Sequence, residues 1–250
     1  MPVPAVVCVL QPVHGLGEGF VMQRIEGETL GRRIVGDERL AGARERLAWQ
    51  CGQALARIHR ITPAGLPHLR RAPPAMELAH YEAQHRSHGL LQPVFELALQ
   101  WLKAHAPGDD IELSLVHGDF RNGNLMVGED GLRAVLDWEL AHLGDPMEDL
   151  GWLCVNSWRF GRHELPVGGF GTLEQLFAGY EEAGGTVFAE RVHYWQVLGT
   201  LKWGVICQSM AHSYLSGAER NVERAAIGRR ASEAEIDLLT LLAPRAQRAA

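Results

Sequence analysis

Asp119, Asn124 and Asp137 are the residues of this chain whose types and spacing could do chemistry. They stand in Leu115-Val116-His117-Gly118-Asp119-Phe120-Arg121-Asn122-Gly123-Asn124 and in Ala134-Val135-Leu136-Asp137-Trp138-Glu139. An Asp five positions ahead of an Asn is the spacing in which a carboxylate accepts or orients the proton of an attacking hydroxyl. An amide oxygen and a second carboxylate are hard ligands suited to magnesium, which also keeps waters and takes phosphate oxygens. The pattern therefore predicts magnesium-dependent phosphoryl transfer, with Asp119 as base and Asn124 and Asp137 on the metal.

Asp and Asn are also common turn residues, and one such spacing alone would say little. Three of them in order, each beside an apolar strand and joined by a hairpin, favour the functional reading. His117 is assigned a structural role within the loop, because a bound triphosphate needs positioning and charge neutralisation more than a second base. Arg121 lies between base and metal ligand, where a guanidinium could hold a phosphate or an acidic substrate group in two-point fashion, or simply stay solvated.

These residues need positioning elements. Ser114 to Val116, Asn124 to Val127 and Leu132 to Leu136 read as short strands, the last two joined by the hairpin signal Gly128-Glu129-Asp130-Gly131. Pairing 124–127 with 133–136 brings Asn124 and Asp137 together at the hairpin's open end, close enough to share a cation. Upstream, Val3 to Leu10 and Phe20 to Ile25 predict a further hairpin, and apolar spacings of three, four and seven predict a helix over Asp37 to Ile61. Helices are expected at Ala75 to His88 and Pro93 to His105, before a break at Pro107-Gly108-Asp109-Asp110, and then near Pro146 to Trp158, Thr172 to Ala183, Glu190 to Leu215 and Ser232 to Leu242. Asp145-Pro146-Met147-Glu148 has the pattern of a capping box, and whether Asp149 braces the catalytic loop is left open. On the 190–215 helix, Tyr194, Leu198, Leu201, Val205, Gln208 and His212 share one face, expected to be core, with Gln208 and His212 as lesser candidates for an acceptor pocket.

The 250 residues are 46% hydrophobic, enough for a substantial core, and the formal charge of −6 offers no basic surface to nucleic acid or an anionic membrane. Four scattered cysteines suggest neither a disulfide framework nor a zinc knuckle, which fits a cytoplasmic protein. No stretch approaches a membrane span, and no basic segment precedes the first apolar run.

The catalytic segment resembles aminoglycoside phosphotransferases and related small-molecule kinases of protein-kinase-like fold. The run from Leu136 through Asp137-Trp138-Glu139-Leu140-Ala141-His142-Leu143-Gly144-Asp145-Pro146, and Ala226-Ile227-Gly228-Arg229-Arg230, are most similar to the phosphotransferase modules related to those fused to some acyl-CoA dehydrogenases. The resemblance implies an α+β, mostly helical lobe, ATP and magnesium as cofactors, Asp119 as catalytic base, and Asn124 with Asp137 on the metal. It divides the chain into 1–27, a remnant of the nucleotide-binding lobe, and 28–250, the helical lobe with the acceptor site. Gln23-Arg24-Ile25-Glu26-Gly27 then resembles the hinge, with adenine meeting backbone groups of Gln23 and Ile25.

Gly118 stands where protein kinases carry Arg, and Trp138-Glu139 replaces their Phe-Gly, so a small-molecule hydroxyl is the expected acceptor. No Lys precedes Lys103, so the phosphate-gripping Lys of such kinases is not in the amino-terminal segment. A start placed too far downstream is the preferred explanation, because Met1-Pro2-Val3-Pro4 resembles the interior of a family member. A truncated product and a noncatalytic binding module are the alternatives, and a metal-dependent hydrolase is the third functional reading. An exposed apolar face on that side would invite a homodimer.

Overall fold

The computed structural model describes residues 3–66, 68–108 and 110–243. Asp109 of the expected break, and Met1 and Pro2, lie outside the described residues. The chain opens with an antiparallel hairpin, β1 (Val6–Val9) and β2 (Phe20–Met22), shorter than expected and irregular between Val6 and Cys8. A short helix, α1 (Gly31–Gly36), leads into α2 (Ala41–His59), followed by α3 (Pro74–Ser87) and α4 (Pro93–Ala104). The central β element comprises β3 (Ser114–Val116), β4 (Leu125–Gly128), β5 (Gly131–Val135) and β6 (His142–Gly144). Among the described residues five helices follow: α5 (Met147–Leu153), α6 (Leu173–Glu182), α7 (Ala189–Leu215), α8 (Val222–Gly228) and α9 (Ala231–Leu242). The architecture is α+β, with the helical body dominant.

The long helices form where their apolar spacing predicts. On α2, Leu47, Cys51, Leu55 and Ile58 are all fully buried. This helix lies so close to α6 that a Cβ on Gly52 would come within 2.1 Å of the Leu176 carbonyl, and one on Gly179 within 2.0 Å of the Trp49 carbonyl. Paired glycines let the two backbones touch. Thr172 and Gln175 form a reciprocal capping box that starts α6. On α7, Tyr194, Leu198, Leu201, Val205 and Gln208 are buried as expected, whereas His212 is exposed.

Three elements are absent from the sequence expectation. The helices α1 and α8 have six and seven residues, too few for a period to show. Strand β6 has three residues and pairs antiparallel with β3, Leu115 opposite Leu143. The helix expected to run to Trp158 ends at Leu153, and a separate 3-10 turn covers Asn156–Trp158. The β4–β5 hairpin keeps the expected register from Asn124 to Met126 and departs from it at Val127, next to the turn. Leu125 faces Val135, Met126 faces Ala134 and Val127 faces Leu132, leaving Arg133 as a bulge. Leu136 N–H then donates to the Asn124 carbonyl at 2.8 Å, so Asn124 is opposite Leu136 and Asp137 lies one position beyond.

Glu28 and Val127 exchange two backbone bonds, 2.8 and 2.9 Å, tying the segment after the first hairpin to the edge of β4. The first hairpin itself stays bare: every residue of β1 and β2 is exposed.

Candidate active site

Residues 117–124 connect β3 to β4. His117 is fully buried. Its Nδ1 accepts the Asp119 N–H at 3.2 Å, so the ring proton sits on Nε2, which donates to the Leu136 carbonyl at 2.9 Å. The imidazole thus pins the loop to the hairpin, the structural role its position predicts. Gly118 has φ +79°, and a Cβ there would lie 2.5 Å from the Leu140 carbonyl. A side chain, such as the Arg of protein kinases, has no room at this point.

Asp149, at 0% exposure on α5, receives the backbone N–H of His117 at 2.8 Å and that of Gly118 at 2.9 Å. Its Oδ2 also meets His59 Nε2 at 3.0 Å, and His59 Nδ1 lies 2.8 Å from the Tyr180 hydroxyl. Burial pushes the Asp149 carboxyl upward, but His59 and the loop amides outweigh it and hold it below the ordinary carboxylate value. The question left open by the sequence is answered: Asp149 braces the loop.

The Asp119 carboxylate is held from both sides. Oδ1 accepts Trp152 Nε1 at 2.8 Å and Arg121 Nε at 2.9 Å, and Oδ2 accepts Asn124 Nδ2 at 2.6 Å. Asn124 directs its other N–H to the Asp119 main-chain carbonyl at 2.9 Å. With both amide hydrogens on Asp119, the group Asn124 has left for a cation is Oδ1, the oxygen that magnesium prefers. Asp137 is exposed and has φ +64°, which turns the chain out of the hairpin. Among the described residues there is no cluster of three or more His, Cys, Asp or Glu side chains that could hold a metal. The protein side of a site here is one amide oxygen and one carboxylate. That donor set fits magnesium, which takes few protein ligands and fills the rest with phosphate and water.

Arg121 donates Nη1 to the Asn122 carbonyl at 3.0 Å, and its guanidinium lies 4.7 Å from the Trp158 ring centre. In this arrangement it is directed at the base. Gln23 N–H extends the first hairpin by donating to the Ala5 carbonyl at 2.8 Å, while the Gln23 carbonyl and the Ile25 backbone form no backbone bond among the described residues.

The capping box at Asp145 is only half formed. Asp145 Oδ1 accepts Met147 N–H at 3.0 Å, but Glu148 turns to His142 Nε2 at 3.2 Å and does not reach back to the Asp145 amide. Asp145, fully buried, also pairs with Arg191 and accepts Trp195 Nε1 at 2.7 Å, anchoring α7 against α5. Gln208, 2% exposed, bonds to His85 and Gln92 and belongs to the core; His212 packs its ring against His88 at the exposed end of α7. Trp152 and Asn122 join the site without any signal in the local spacing. The first lies 33 residues from its partner Asp119, and Asn122 fixes the loop by donating to the Trp158 and Gly168 carbonyls at 3.0 and 2.8 Å.

The sequence pattern of the phosphotransferase enzyme family, APH, matches residues 1–185, most of the chain and all of the loop just described. The chain belongs to this family. Acyl-CoA dehydrogenase family member 11 of Gallus gallus is 34% identical to it over 163 residues, 60% of this chain and 20% of that protein. Acyl-CoA dehydrogenase family member 10 of Mus musculus is 45% identical over 65 residues, 25% of this chain and 6% of that protein. The chain thus spans a fifth or less of the length of these curated relatives. Among solved structures, a Ralstonia eutropha protein assigned to the aminoglycoside phosphotransferases superposes with TM-score 0.78 at 21% identity, covering 96% of this chain and 78% of that one. The GDP complex of aminoglycoside 2'-phosphotransferase-IIIa gives TM-score 0.64 at 15% identity, covering 94% of this chain and 76% of that one. The fold is that of the kinase-like phosphotransferases. Among the described residues, no helix is long and apolar enough to cross a membrane.

Proposed function

We propose that this chain is the body of an ATP- and magnesium-dependent phosphotransferase acting on a small-molecule hydroxyl. The observation that carries this reading is the joint hold of Asn124 on Asp119, which makes base and metal ligand one rigid unit. Bound magnesium and ATP would supply the phosphoryl group and neutralise charge building on it. Asp119 would take the proton of the acceptor hydroxyl, Asn124 Oδ1 and the Asp137 carboxylate would hold the cation, and Arg121 would offer its guanidinium to a phosphate oxygen. Gln23 and Ile25 offer backbone groups to the adenine.

The acceptor we favour is a hydroxylated acyl thioester. Its support is the similarity to proteins named as acyl-CoA dehydrogenases, in which a small-molecule kinase module would act on a related substrate. No nucleic-acid or membrane partner enters this reading, and the cytoplasm is its place. A noncatalytic binding module is the second reading.

The deciding experiment is calorimetric titration with ATP and magnesium of the chain and of Asp137→Ala, followed by phosphoryl transfer from labelled ATP to hydroxyacyl thioesters. Saturable binding that disappears in the variant, with label in the acceptor, supports the kinase. A folded chain that binds no nucleotide leaves the binding module.

A further inference from the structure

One buried charge beside the catalytic loop is not used by the reading above. Lys202 on α7 is 8% exposed, and its Nζ donates to the Gly118 carbonyl at 3.2 Å. The same Nζ lies 4.5 Å from the ring centre of Trp152 and 5.6 Å from that of Tyr81. Burial pushes this ammonium toward neutrality, but Tyr81, Glu148, Glu77 and Asp119 outweigh it and hold the group above the ordinary lysine value. It is a charged group, and no carboxylate among the described residues pairs with it directly.

A buried cation of this kind could serve a substrate. The space around it argues otherwise. The cavity lined by Glu77, Tyr81, Trp152, Leu198 and Lys202 is about 10 Å³, room for about one water. No acceptor fits there, so the charge acts on the protein itself: Tyr81 is one partner, and two others lead to Asp119. One is the carbonyl of Gly118, the residue before the base. The other is the indole of Trp152, whose Nε1–H holds Asp119 Oδ1 at 2.8 Å. A cation on an indole face is attracted by the ring's electron density and draws on it, which makes the ring N–H a stronger donor.

We propose that Lys202 and Trp152 are positioning residues for Asp119: Lys202 clamps the Gly118 carbonyl and polarises the indole that fixes Oδ1. The amides of His117 and Gly118 are held by Asp149, so the Lys202 contact completes the grip on the peptide that carries the base. When Arg121 leaves Asp119 for a phosphate, Trp152 remains to hold Oδ1. That last consequence rests on the phosphotransferase reading; the clamp itself does not.

The test uses the nitrogen-15-labelled full chain and its indole N–H resonances, with the Trp152 signal assigned by its absence in Trp152→Phe. In Lys202→Met, which keeps the apolar stem and removes the charge, the Trp152 signal moves toward the free-indole position and exchanges with water roughly tenfold faster, while Trp49 and Trp101 stay in place. If Lys202→Met does not fold, Lys202→Gln gives the charge-free comparison. In turnover, Lys202→Met and Trp152→Phe each lower kcat roughly 10- to 100-fold with KM for magnesium-ATP unchanged, and the double variant is no worse than the worse single one. A Trp152 signal that does not move in a folded variant, or losses that multiply in the double variant, overturns the proposal. Should the unaltered chain transfer no phosphate to any acceptor, the phosphotransferase reading fails, and the indole signals still decide the clamp.

Discussion

Asp149 Oδ1 and the Gly118 amide are 2.9 Å apart, so the left-handed turn ahead of the base is fastened to a carboxylate with no access to water. That carboxylate also accepts from His117 N–H and faces His59. In Asp149→Asn one of the two acceptor atoms becomes an NH2 group facing a donor. We expect a loss of about 2–4 kcal/mol, read as a drop of roughly 10 °C in Tm. The Asp149 carboxyl is held below its ordinary value, chiefly by His59 against the effect of burial. Its stabilisation is therefore complete above the unfolded value of about 3.9 and is lost as pH falls through the folded one. The stability gap between the unaltered chain and Asp149→Asn should be constant from neutral pH to about 5 and narrow below about 4. A gap that widens in acid would show that Asp149 is not the ionised brace.

Asn124 and Asp137 separate structure from function. Asn124 makes both its donor bonds to Asp119 and is 5% exposed, whereas Asp137 is exposed at the end of the hairpin. Asn124→Ala should therefore cost about 1–2 kcal/mol in urea unfolding as well as magnesium-ATP binding. Asp137→Ala should lower the unfolding midpoint less than Asn124→Ala does, by only the small strain of Ala at a φ of +64° that Asp tolerates better, and abolish the magnesium dependence of ATP binding in calorimetry. An unfolding loss confined to Asp137→Ala would reverse these assignments.

Gly118 offers the sharpest backbone test. Its φ of +79° is open to glycine at no strain, and a Cβ would lie 2.5 Å from the Leu140 carbonyl and 3.2 Å from His142 Nδ1. Gly118→Ala is expected to lower stability by about 2 kcal/mol or more, because both the turn and the Leu140 segment must shift. The check is denaturant unfolding beside Gly36→Ala, a helical glycine with nothing within 4 Å of where the added methyl group would sit. Equal effects at the two positions would remove the argument for close packing.

What could be seen in the sequence was local. The β4–β5 hairpin announced itself through Gly128 to Gly131, and His117, Asp119 and Asn124 through spacing within one loop. The bulge at Arg133 was not visible, because the Arg133 side chain that accompanies it reaches the Glu26 carbonyl at 2.8 Å, 107 residues away. Asp145 looked like a cap and proved also to be the buried partner of Arg191 and Trp195, 46 and 50 residues on. Trp152 and Lys202 lie in segments expected only to be helical, and only the fold brings them to Asp119 and its loop. Long-range partners leave no period in a sequence.

The first hairpin presents apolar side chains to solvent on both faces: Val9 is 61% and Phe20 59% exposed on one, and Val21 47% on the other. Isolated two-stranded ribbons are marginal in water, and unpaired edges flanked by apolar side chains template further pairing. Concentration-dependent self-association through β1 and β2 is therefore expected, in line with the homodimer anticipated from the sequence. The pair Val7→Lys and Phe20→Glu should reduce it, measured by light scattering across a dilution series, without moving the main melting transition. The transition stays because Glu28 and Val127 fasten the chain to β4 just after the hairpin, so the helical core does not depend on the ribbon. Unchanged scattering in the double variant would place self-association elsewhere, and a lowered Tm would show that the ribbon packs on the body.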